Sequence, residues 1–305
     1  MKCQIIVLIV FTMGFTLAAQ ETIDIFTFTG RYGLPQSYKD TYPEKATESG
    51  FLIAAQAGFN VSKNSMIGFN VNHFYFNVQG DPSIPENITN PIILNGTILR
   101  AGLIQSFSND RKLQVLISPR LMSDYKNLDA NSFQLGAVVS YEKKYNDDLK
   151  LGFGAMYNQE LFGPYMVPLV FLNWQVSSKW NINGMIPVTA RVEYKPMDNL
   201  TLGFNHFGLI TSYYLGDEAY AGDYMERMSI DLSLFVRQRL FGPVYLEGMV
   251  GRSFARSYKQ YEGDQKVTFA IPLVNFGDNR TVKNVTFNDG ILLQLKLVIN
   301  ILRPE

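Results

Sequence analysis

The sequence predicts an all-β fold: a transmembrane antiparallel up-and-down β-barrel of about fourteen strands. Three observations carry this prediction. Apolar and polar residues alternate along a dozen or so segments, short and long connectors alternate between those segments, and an export signal stands at the amino terminus. Neighbouring side chains of a strand point to opposite faces, so alternation at period two gives each segment one apolar and one polar face. Segments of about ten residues with this pattern are typical of barrels that cross the outer membrane.

The amino terminus has the features of a secretory signal peptide. Lys2 precedes an apolar run that ends in the small pair Ala18-Ala19. We therefore expect a cleaved signal peptide over 1–19 and a barrel over 20–305. The alternative is a retained anchor helix, which would need about 20 apolar residues to span a membrane, and this run is shorter.

Alternation is clearest in the segment 228–237. Its apolar set is Met228, Ile230, Leu232, Leu234 and Val236, and the residues between them are Ser229, Asp231, Ser233, Phe235 and Arg237. The same period of two runs through 131–142, 149–158, 188–195 and 291–301. A helix would scatter the charged residues of these segments among the apolar ones, which is not how an amphipathic helix is built. We therefore predict strands.

Turn-forming residues separate the strands, and the connectors come in two sizes. The short ones are 62–64, 109–110, 146–148, 177–178, 196–199 and 242–243, and the long ones are 33–49, 79–95, 123–130, 160–165, 215–225 and 257–287. The two sizes alternate strictly, apart from one abrupt corner at Ile186-Pro187. Outer-membrane barrels have short periplasmic turns and long extracellular loops, so we predict that arrangement here.

This rule gives an even number of strands, as bacterial single-chain barrels require. The fourteen predicted strands are 22–32, 50–61, 65–78, 96–108, 111–122, 131–145, 149–159, 166–176, 179–186, 188–195, 200–214, 226–240, 243–256 and 288–302. The segment 179–195 allows an alternative, a single strand bent at Pro187. The alternation of connectors would then need another strand, for example within Val267–Leu273, and twelve is the fallback count.

The stretch from Gly96 to Asn205 carries a series of short motifs. They are Ile117-Ser118-Pro119-Arg120-Leu121, Ser123-Asp124, Phe133-Gln134-Leu135, Leu151-Gly152-Phe153-Gly154, Pro168-Leu169, Trp174-Gln175, Lys179-Trp180-Asn181-Ile182, Ile186-Pro187, Glu193-Tyr194-Lys195-Pro196 and Leu200-Thr201-Leu202-Gly203. In their order and spacing, the stretch resembles a family of Bacteroidota outer-membrane barrels known as domain of unknown function 6268. The resemblance implies an exported outer-membrane barrel and brings no activity, ligand or catalytic residues with it.

Charged residues of both signs fall on the polar face of the predicted strands. Arg or Lys at the middle of a lipid-facing surface costs about 2–4 kcal/mol, so we expect these side chains to line the lumen. The candidates are Arg100, Lys112, Arg120, Arg191, Glu193, Asp231, Arg237, Arg239 and Glu247. They line a hydrated route for a solute, or they pair into a salt-bridge lattice that fills a closed lumen. In the first case, Arg100, Arg120, Arg191 and Arg237 would attract anionic solutes.

Aromatic residues cluster near the ends of the predicted strands. Tyr141, Trp174, Trp180 and Tyr213 are the candidates for aromatic girdles, because amphipathic rings settle at the depth of the lipid headgroups. The alternative is that strands are simply rich in aromatic residues. Both tryptophans lie beside one short turn, which favours the girdle.

Composition and motifs exclude several function classes. The chain has 27 basic and 27 acidic residues, so no nucleic-acid partner is expected. No metal-ligand spacing or phosphate-binding glycine loop is present, and we expect no metal and no cofactor. The only histidines are His73 and His206, and no serine or acid can be placed beside either of them. We therefore predict that the chain is not an enzyme and rank an outer-membrane hydrolase third.

Two functions from different classes precede the hydrolase. The first is a passive pore or small-solute uptake channel in the outer membrane of a Gram-negative bacterium. The alternative is a structural or interaction barrel with a closed lumen, whose loops 33–49, 79–95 and 257–287 contact partners. The expected partners are outer-membrane lipid, the barrel-assembly machinery and, for a channel, a small solute.

Overall fold

A computed structural model describes residues 22–39, 45–80, 92–220 and 222–302. The signal peptide expected over 1–19 lies outside the described residues. Within them the chain forms sixteen β-strands and two short 3₁₀ turns, Ala130–Ser132 and Glu218–Tyr220. No helix in this part of the chain is long and apolar enough to span a membrane.

Fourteen of the strands form the barrel. They are β1 (Thr22–Ser37), β2 (Lys45–Ser62), β3 (Ser65–Gln79), β4 (Ile92–Ser108), β5 (Arg111–Ser123), β6 (Phe133–Lys144), β7 (Leu149–Glu160), β8 (Gly163–Ser177), β9 (Trp180–Ile186), β10 (Thr189–Met197), β11 (Leu200–Tyr214), β12 (Tyr224–Phe241), β13 (Val244–Tyr261) and β16 (Gly290–Leu302). The other two, β14 (Phe269–Ile271) and β15 (Val274–Phe276), form a small hairpin in the connection between β13 and β16.

The barrel is a closed ring. Each strand from β1 to β13 pairs antiparallel with the next, β13 pairs with β16, and β16 pairs with β1. The predicted count of fourteen is confirmed and the fallback of twelve is wrong, because β9 and β10 are separate strands that pair across the corner at Ile186-Pro187. The stretch Val267–Leu273 contributes only the short β14, which does not belong to the ring.

The connectors define two ends of the barrel. We call the end with the connectors 63–64, 109–110, 145–148, 178–179, 198–199 and 242–243 the turn end, and the opposite end the loop end. The long loop predicted over 160–165 is wrong. Because β7 runs to Glu160 and β8 begins at Gly163, only two residues connect them. Gly163 has a φ of +126°, a backbone conformation that side chains with a Cβ rarely adopt, which permits this tight connection.

The apolar faces of the strands point outward. In β12, Leu234 is 66% exposed and Val236 is 51% exposed, whereas Ser233 and Phe235 between them are 2% and 3% exposed. Exposed apolar side chains of this kind occur on every strand of the ring except β10, whose Met197 is exposed only at the turn end. The barrel therefore has an apolar outer band, as the alternation predicted, and an interior that contains both polar and apolar side chains.

The wall of the barrel extends less far towards the loop end at the hairpin of β9 and β10 than elsewhere. The hairpin of β9 and β10 is short, so β8 pairs with β9 only as far as Val170, and β11 pairs with β10 only as far as Phe207. Above these residues β11 continues to pair with β12, and Tyr214 at its end forms a parallel bridge with Ser123 of β5. The loop-end part of β11 and β12 therefore crosses the interior. We call the segments 209–214 and 224–229 the partition.

Each face of the partition packs on a separate apolar cluster. On one face, Tyr213 and Met225 are buried with Phe76, Leu94 and Met122 of β3, β4 and β5. On the other face, Tyr224 is buried in a second cluster, whose other buried members include Phe162, Tyr165, Val167, Tyr261 and Val267. Both apolar clusters lie in the loop-end half of the barrel, with the partition between them.

The outward orientation of the apolar band leads to a prediction about depth in the bilayer. Leu234→Arg places a charge in the middle of a strand, and we expect it to lower the free energy of unfolding by about 2–4 kcal/mol. Phe241→Arg makes the same kind of change at the turn end of the same strand and should cost about 0–1 kcal/mol. Urea unfolding in lipid vesicles, followed by tryptophan fluorescence, measures both. Equal costs for the two variants would contradict a lipid-facing band.

Candidate functional site

The interior surface of the barrel is the candidate site. In its loop-end half, Glu160 fixes the position of β11. This buried residue at the end of β7 accepts hydrogen bonds from the Ser212 backbone N–H (2.8 Å) and the Ser212 hydroxyl (2.7 Å). Arg120 Nη2 lies 2.7 Å from Glu160 Oε1, and Gln134 Nε2 donates to the Ser212 carbonyl (3.0 Å). β10 does not extend as far as Ser212 towards the loop end. Side chains of the opposite wall therefore make the hydrogen bonds that the backbone of β11 lacks there.

A second group of buried charges surrounds Arg31. Arg31 donates to the carboxylates of Glu48 and Asp231, and its Nη2 also donates to Ser253 (3.2 Å). The Asp231 carboxylate further accepts from the Ser253 hydroxyl (2.7 Å) and from the Ser229 hydroxyl (2.5 Å). These groups join β1, β2, β12 and β13 through one polar cluster.

Two more arginines complete this cluster around Glu48. Arg256 Nη1 lies 3.6 Å from Glu48 Oε2, and Arg227 Nη2 lies 3.9 Å from Glu48 Oε1. The Arg227 guanidinium also lies 3.8 Å from the centre of the Phe76 ring, a cation–π contact. Glu48 Oε2, Arg227 Nη1 and Arg256 Nη1 make no hydrogen bond to the described residues. The cluster contains three arginines and two carboxylates and is incomplete in hydrogen bonds.

A third group of charges lies towards the turn end. Arg237 Nη2 is 2.9 Å from Asp24 Oδ2, and Arg237 Nε is 2.6 Å from Glu247 Oε2. Arg191 makes two hydrogen bonds to the Glu247 carboxylate, at 3.2 and 2.9 Å, and one to Glu193 at 3.2 Å. Glu247 is therefore shared by two arginines from neighbouring parts of the wall.

A cavity of about 590 Å³ opens beside this group, in the turn-end half along β1 to β5. We call it the turn-end cavity. Its polar lining includes Arg100, and the remaining polar lining residues are Gln56, Asn60, Asn70, Lys112 and Gln114. Gly58, Gly68 and Gly102 are paired in a row across β2, β3 and β4, and the first two line the cavity. The absence of side chains in this row lets Met66 Sδ and Ile104 Cδ1 lie close against the wall.

Arg100 differs from the other interior arginines. Its Nη1 donates to Asn70 Oδ1 (3.1 Å), and within the described part of the chain no carboxylate lies within 4 Å of its guanidinium. Arg31, Arg120, Arg191 and Arg237 each have at least one carboxylate at hydrogen-bonding distance. Arg100 is thus a half-buried cation that faces a cavity without an acidic partner.

The structure assigns a place to each residue predicted to line the lumen. Arg120, Arg191, Glu193, Asp231, Arg237 and Glu247 belong to the paired groups described above, and Arg100 and Lys112 line the turn-end cavity. Lys112 Nζ also lies 3.6 Å from Glu142 Oε1. Arg239 is exposed at the turn end, where its Nε donates to the Gly242 carbonyl (2.7 Å). Their part in solute passage stays a prediction.

Several interior residues were not singled out from the sequence. Glu48 and Glu160 fell at the margins of predicted loops, because the strands continue farther than the alternation indicates. Arg31 lies beyond an irregularity between Asp24 and Phe26, which changes the parity of β1. Arg227 lies on the polar parity of β12, which could have identified it.

Three of the four predicted girdle residues are on the outer surface. Tyr141, Trp174 and Trp180 are exposed, and the Trp180 ring lies 4.7 Å from that of Tyr194 near the turn end. Tyr213 is 0% exposed and packs inside, so its assignment to a girdle is wrong. The physical reason is that the loop-end part of β11 leaves the barrel wall to form the partition. The girdle role of the other three stays a prediction.

The loop between β13 and β16 covers the loop end. The hairpin of β14 and β15 extends the free edge of β8 through the bridge from Ala270 to Tyr165. Arg280 anchors the loop to the partition, with Nη1 2.7 Å from Glu226 Oε2 and 3.1 Å from the Tyr224 hydroxyl. Hydrogen bonds from Arg280 lower the pKa of the Asp278 carboxyl to about 2.

The histidines lie apart from these charged groups. His73 Nδ1 is 2.9 Å from the Thr97 hydroxyl, and His206 Nε2 is 2.7 Å from the Pro187 carbonyl oxygen. Among the described residues, no three His, Cys, Asp or Glu side chains are grouped as metal ligands.

Comparisons with known proteins place the chain in a broader context. A family model described as "Domain of unknown function (DUF6268)" matches residues 17–288. No curated protein matches the sequence. An outer membrane channel from Pseudomonas putida F1 is 10% identical, with 94% of this chain and 97% of that chain covered and a TM-score of 0.46. A FadL homologue from Pseudomonas aeruginosa is 13% identical, with 91% and 76% covered and a TM-score of 0.34. The NanC porin is 10% identical, with 89% of this chain and 98% of that chain covered and a TM-score of 0.34.

The buried pair of Arg120 and Glu160 leads to a prediction about stability. Glu160→Ala leaves the Arg120 guanidinium buried without its carboxylate and releases the edge of β11. We expect it to lower the free energy of unfolding by about 3–5 kcal/mol, measured by urea unfolding in vesicles. Asp147→Ala removes the exposed pair between Lys144 Nζ and Asp147 Oδ1 (2.6 Å) and should leave the free energy of unfolding unchanged. A Glu160→Ala variant as stable as the parent would show that the pair does not hold the partition.

Proposed function

We propose a small-solute channel function for this chain, which belongs to the family described as "Domain of unknown function (DUF6268)". The proposed location is the outer membrane of a Gram-negative bacterium, reached through a cleaved signal peptide. The closed ring supports this location, because only helices and closed barrels satisfy every backbone polar group within lipid. The apolar outer band supports it as well. The turn end would then face the periplasm and the loop end the exterior.

The turn-end cavity is the observation that carries the channel proposal. It is lined by polar side chains, and its unpaired Arg100 contrasts with the paired charges around the partition. A barrel with a purely structural role could fill its interior with apolar side chains at less cost than with buried charges. Charged side chains at membrane depth are rare and generally mark a route for ions or solutes.

The proposed channel opens and closes, in contrast to the passive pore expected from the sequence. Glu160 and Gln134 bind the edge of the partition, Arg120 pairs with Glu160, and both faces of the partition are packed. Passage from end to end therefore requires the partition to move.

A specific observation also supports the second candidate, a structural or interaction barrel. Arg227 and Glu247 are almost completely buried, and two apolar clusters occupy the loop-end half. A permanently filled interior would show the same features. The two functions differ in one measurable property: only the channel passes ions.

The partition can be locked to the opposite wall for a test. Ser123 and Tyr214 are bridge partners, and such residues lie within the Cα separation of about 4.4–6.8 Å that a disulfide needs. In planar bilayers, we expect the oxidised Ser123→Cys, Tyr214→Cys double variant to be silent. A thiol reductant should restore single-channel steps of the parental size, because it releases the partition.

The two single variants, Ser123→Cys and Tyr214→Cys, are the controls and should conduct under oxidising and reducing conditions alike. An oxidised double variant that conducts as the parent does would show that conduction does not require the partition to move. The channel function itself fails if folded parent protein shows no steps in planar bilayers at any voltage, and the structural candidate then takes its place.

A further inference from the structure

We infer that the turn-end cavity binds a small organic anion, a carboxylate carried on an apolar body. The inference deepens the proposed channel function, on which it rests, by naming the class of solute. It concerns equilibrium binding in the turn-end half of the barrel and can be measured without any current through the protein.

Two cationic residues line the site: Lys112, whose Nζ lies 3.6 Å from Glu142 Oε1, and Arg100, on which the inference rests. Its guanidinium is anchored by Asn70 at 3.1 Å and faces the cavity, and it has no carboxylate within 4 Å in the described ranges. A guanidinium presents planar, paired N–H donors that match the two oxygens of a carboxylate. A bound anion would give Arg100 the negatively charged partner that the other interior arginines have in carboxylates of the chain.

The same cavity has an extensive apolar lining. Met66, Ile104 and Leu116 of β3, β4 and β5 have the same inward register as Asn70 and Arg100, and β1 and β16 contribute further apolar lining residues. An inorganic anion would make no use of such a lining. An aromatic or short aliphatic body attached to the carboxylate would bury its apolar surface there, which is favourable at about 25 cal/mol per Å².

The glycine row lets neighbouring apolar side chains lie close against the wall of the cavity. A Cβ on Gly68 would lie 3.0 Å from Ile104 Cδ1, and a Cβ on Gly58 would lie 2.7 Å from Met66 Sδ. A larger side chain at either position would therefore displace Ile104 or Met66 and change the shape of the cavity. The volume of about 590 Å³ is within the range of about 300–1,000 Å³ typical of small-molecule sites.

The test measures binding of 4-fluorobenzoate to the protein in lipid nanodiscs by ¹⁹F NMR. The uncharged analogue 4-fluorobenzyl alcohol reports binding of the ring alone. We expect the carboxylate to bind at least about tenfold more tightly than the alcohol, because only the carboxylate makes charge-assisted hydrogen bonds to the guanidinium. Arg100→Gln should weaken 4-fluorobenzoate binding by about tenfold or more and leave binding of the alcohol unchanged. Arg100→Lys, which keeps the charge, should retain part of the affinity.

A matched control and a second variant separate the site from the fold. Arg252→Gln makes the same change at an exposed arginine beside Phe254, outside the cavity, and should bind 4-fluorobenzoate as the parent does. Gly68→Leu fills the cavity without changing any charge and should abolish binding of both probes.

Equal affinity for the two probes, or unchanged 4-fluorobenzoate binding in both Arg100→Gln and Gly68→Leu, would overturn the inference. Folding of each variant is checked by heat-dependent migration on a denaturing gel, and Arg100→Lys supplies the comparison if Arg100→Gln does not fold. Arg100-dependent binding in a protein that never conducts would support this inference while ending the channel function. Conduction without Arg100-dependent binding would support the channel function and end this inference.

Discussion

The need to pair every backbone polar group determines most of this structure. Within lipid no water is available to satisfy a free strand edge, so the fourteen strands close into a ring. The ring is incomplete above the short hairpin of β9 and β10, and β13 pairs with β16 only as far as Ser253. Above the hairpin, the free edge of β8 pairs with β14, and the free edge of β11 turns inward to reach Ser123, Glu160 and Gln134. The partition is thus a consequence of where this hairpin ends.

The two halves of the interior meet different electrostatic conditions. Around the partition, arginines and acids from distant strands are buried together, and the loss of either partner would leave an uncompensated charge. In the turn-end half, the row of glycines lies along the cavity, and Arg100 lies beside it. A solute that enters from the turn end would therefore meet Arg100, which has no carboxylate within 4 Å among the described residues, before it meets the closed partition. This order suits a channel whose opening is separate from its binding step.

Much of the barrel could be predicted from the sequence because its signals are local. Alternation within a segment identified the strands, and turn residues such as Asn109-Asp110 separated them. The separate strands β9 and β10 followed from the abrupt corner at Ile186-Pro187. The outward orientation of Leu234 and Val236 followed from parity alone.

The partition could not be predicted, because it depends on contacts between residues far apart in the chain. Ser123 and Tyr214 are 91 positions apart, and nothing in either segment indicates that they meet. For the same reason the sequence predicts Tyr213, an amphipathic ring near a strand end, to be a girdle residue on the outside, whereas it is buried. The pairing of Arg31 with Glu48 and Asp231 also joins distant segments and could not be predicted. Parity shows which face a residue occupies only while its strand stays in the wall.

The central claim is that the apolar face of the ring contacts lipid, and site-directed spin labelling of β12 in bilayers tests it most directly. Labels are placed one at a time from 232 to 236 in a chain whose only native cysteine, Cys3, has been replaced. Oxygen concentrates in lipid, so we expect its collision rate with the label to be high at 232, 234 and 236 and low at 233 and 235. A collision rate without a period of two, or one that is highest at 233 and 235, would contradict the account.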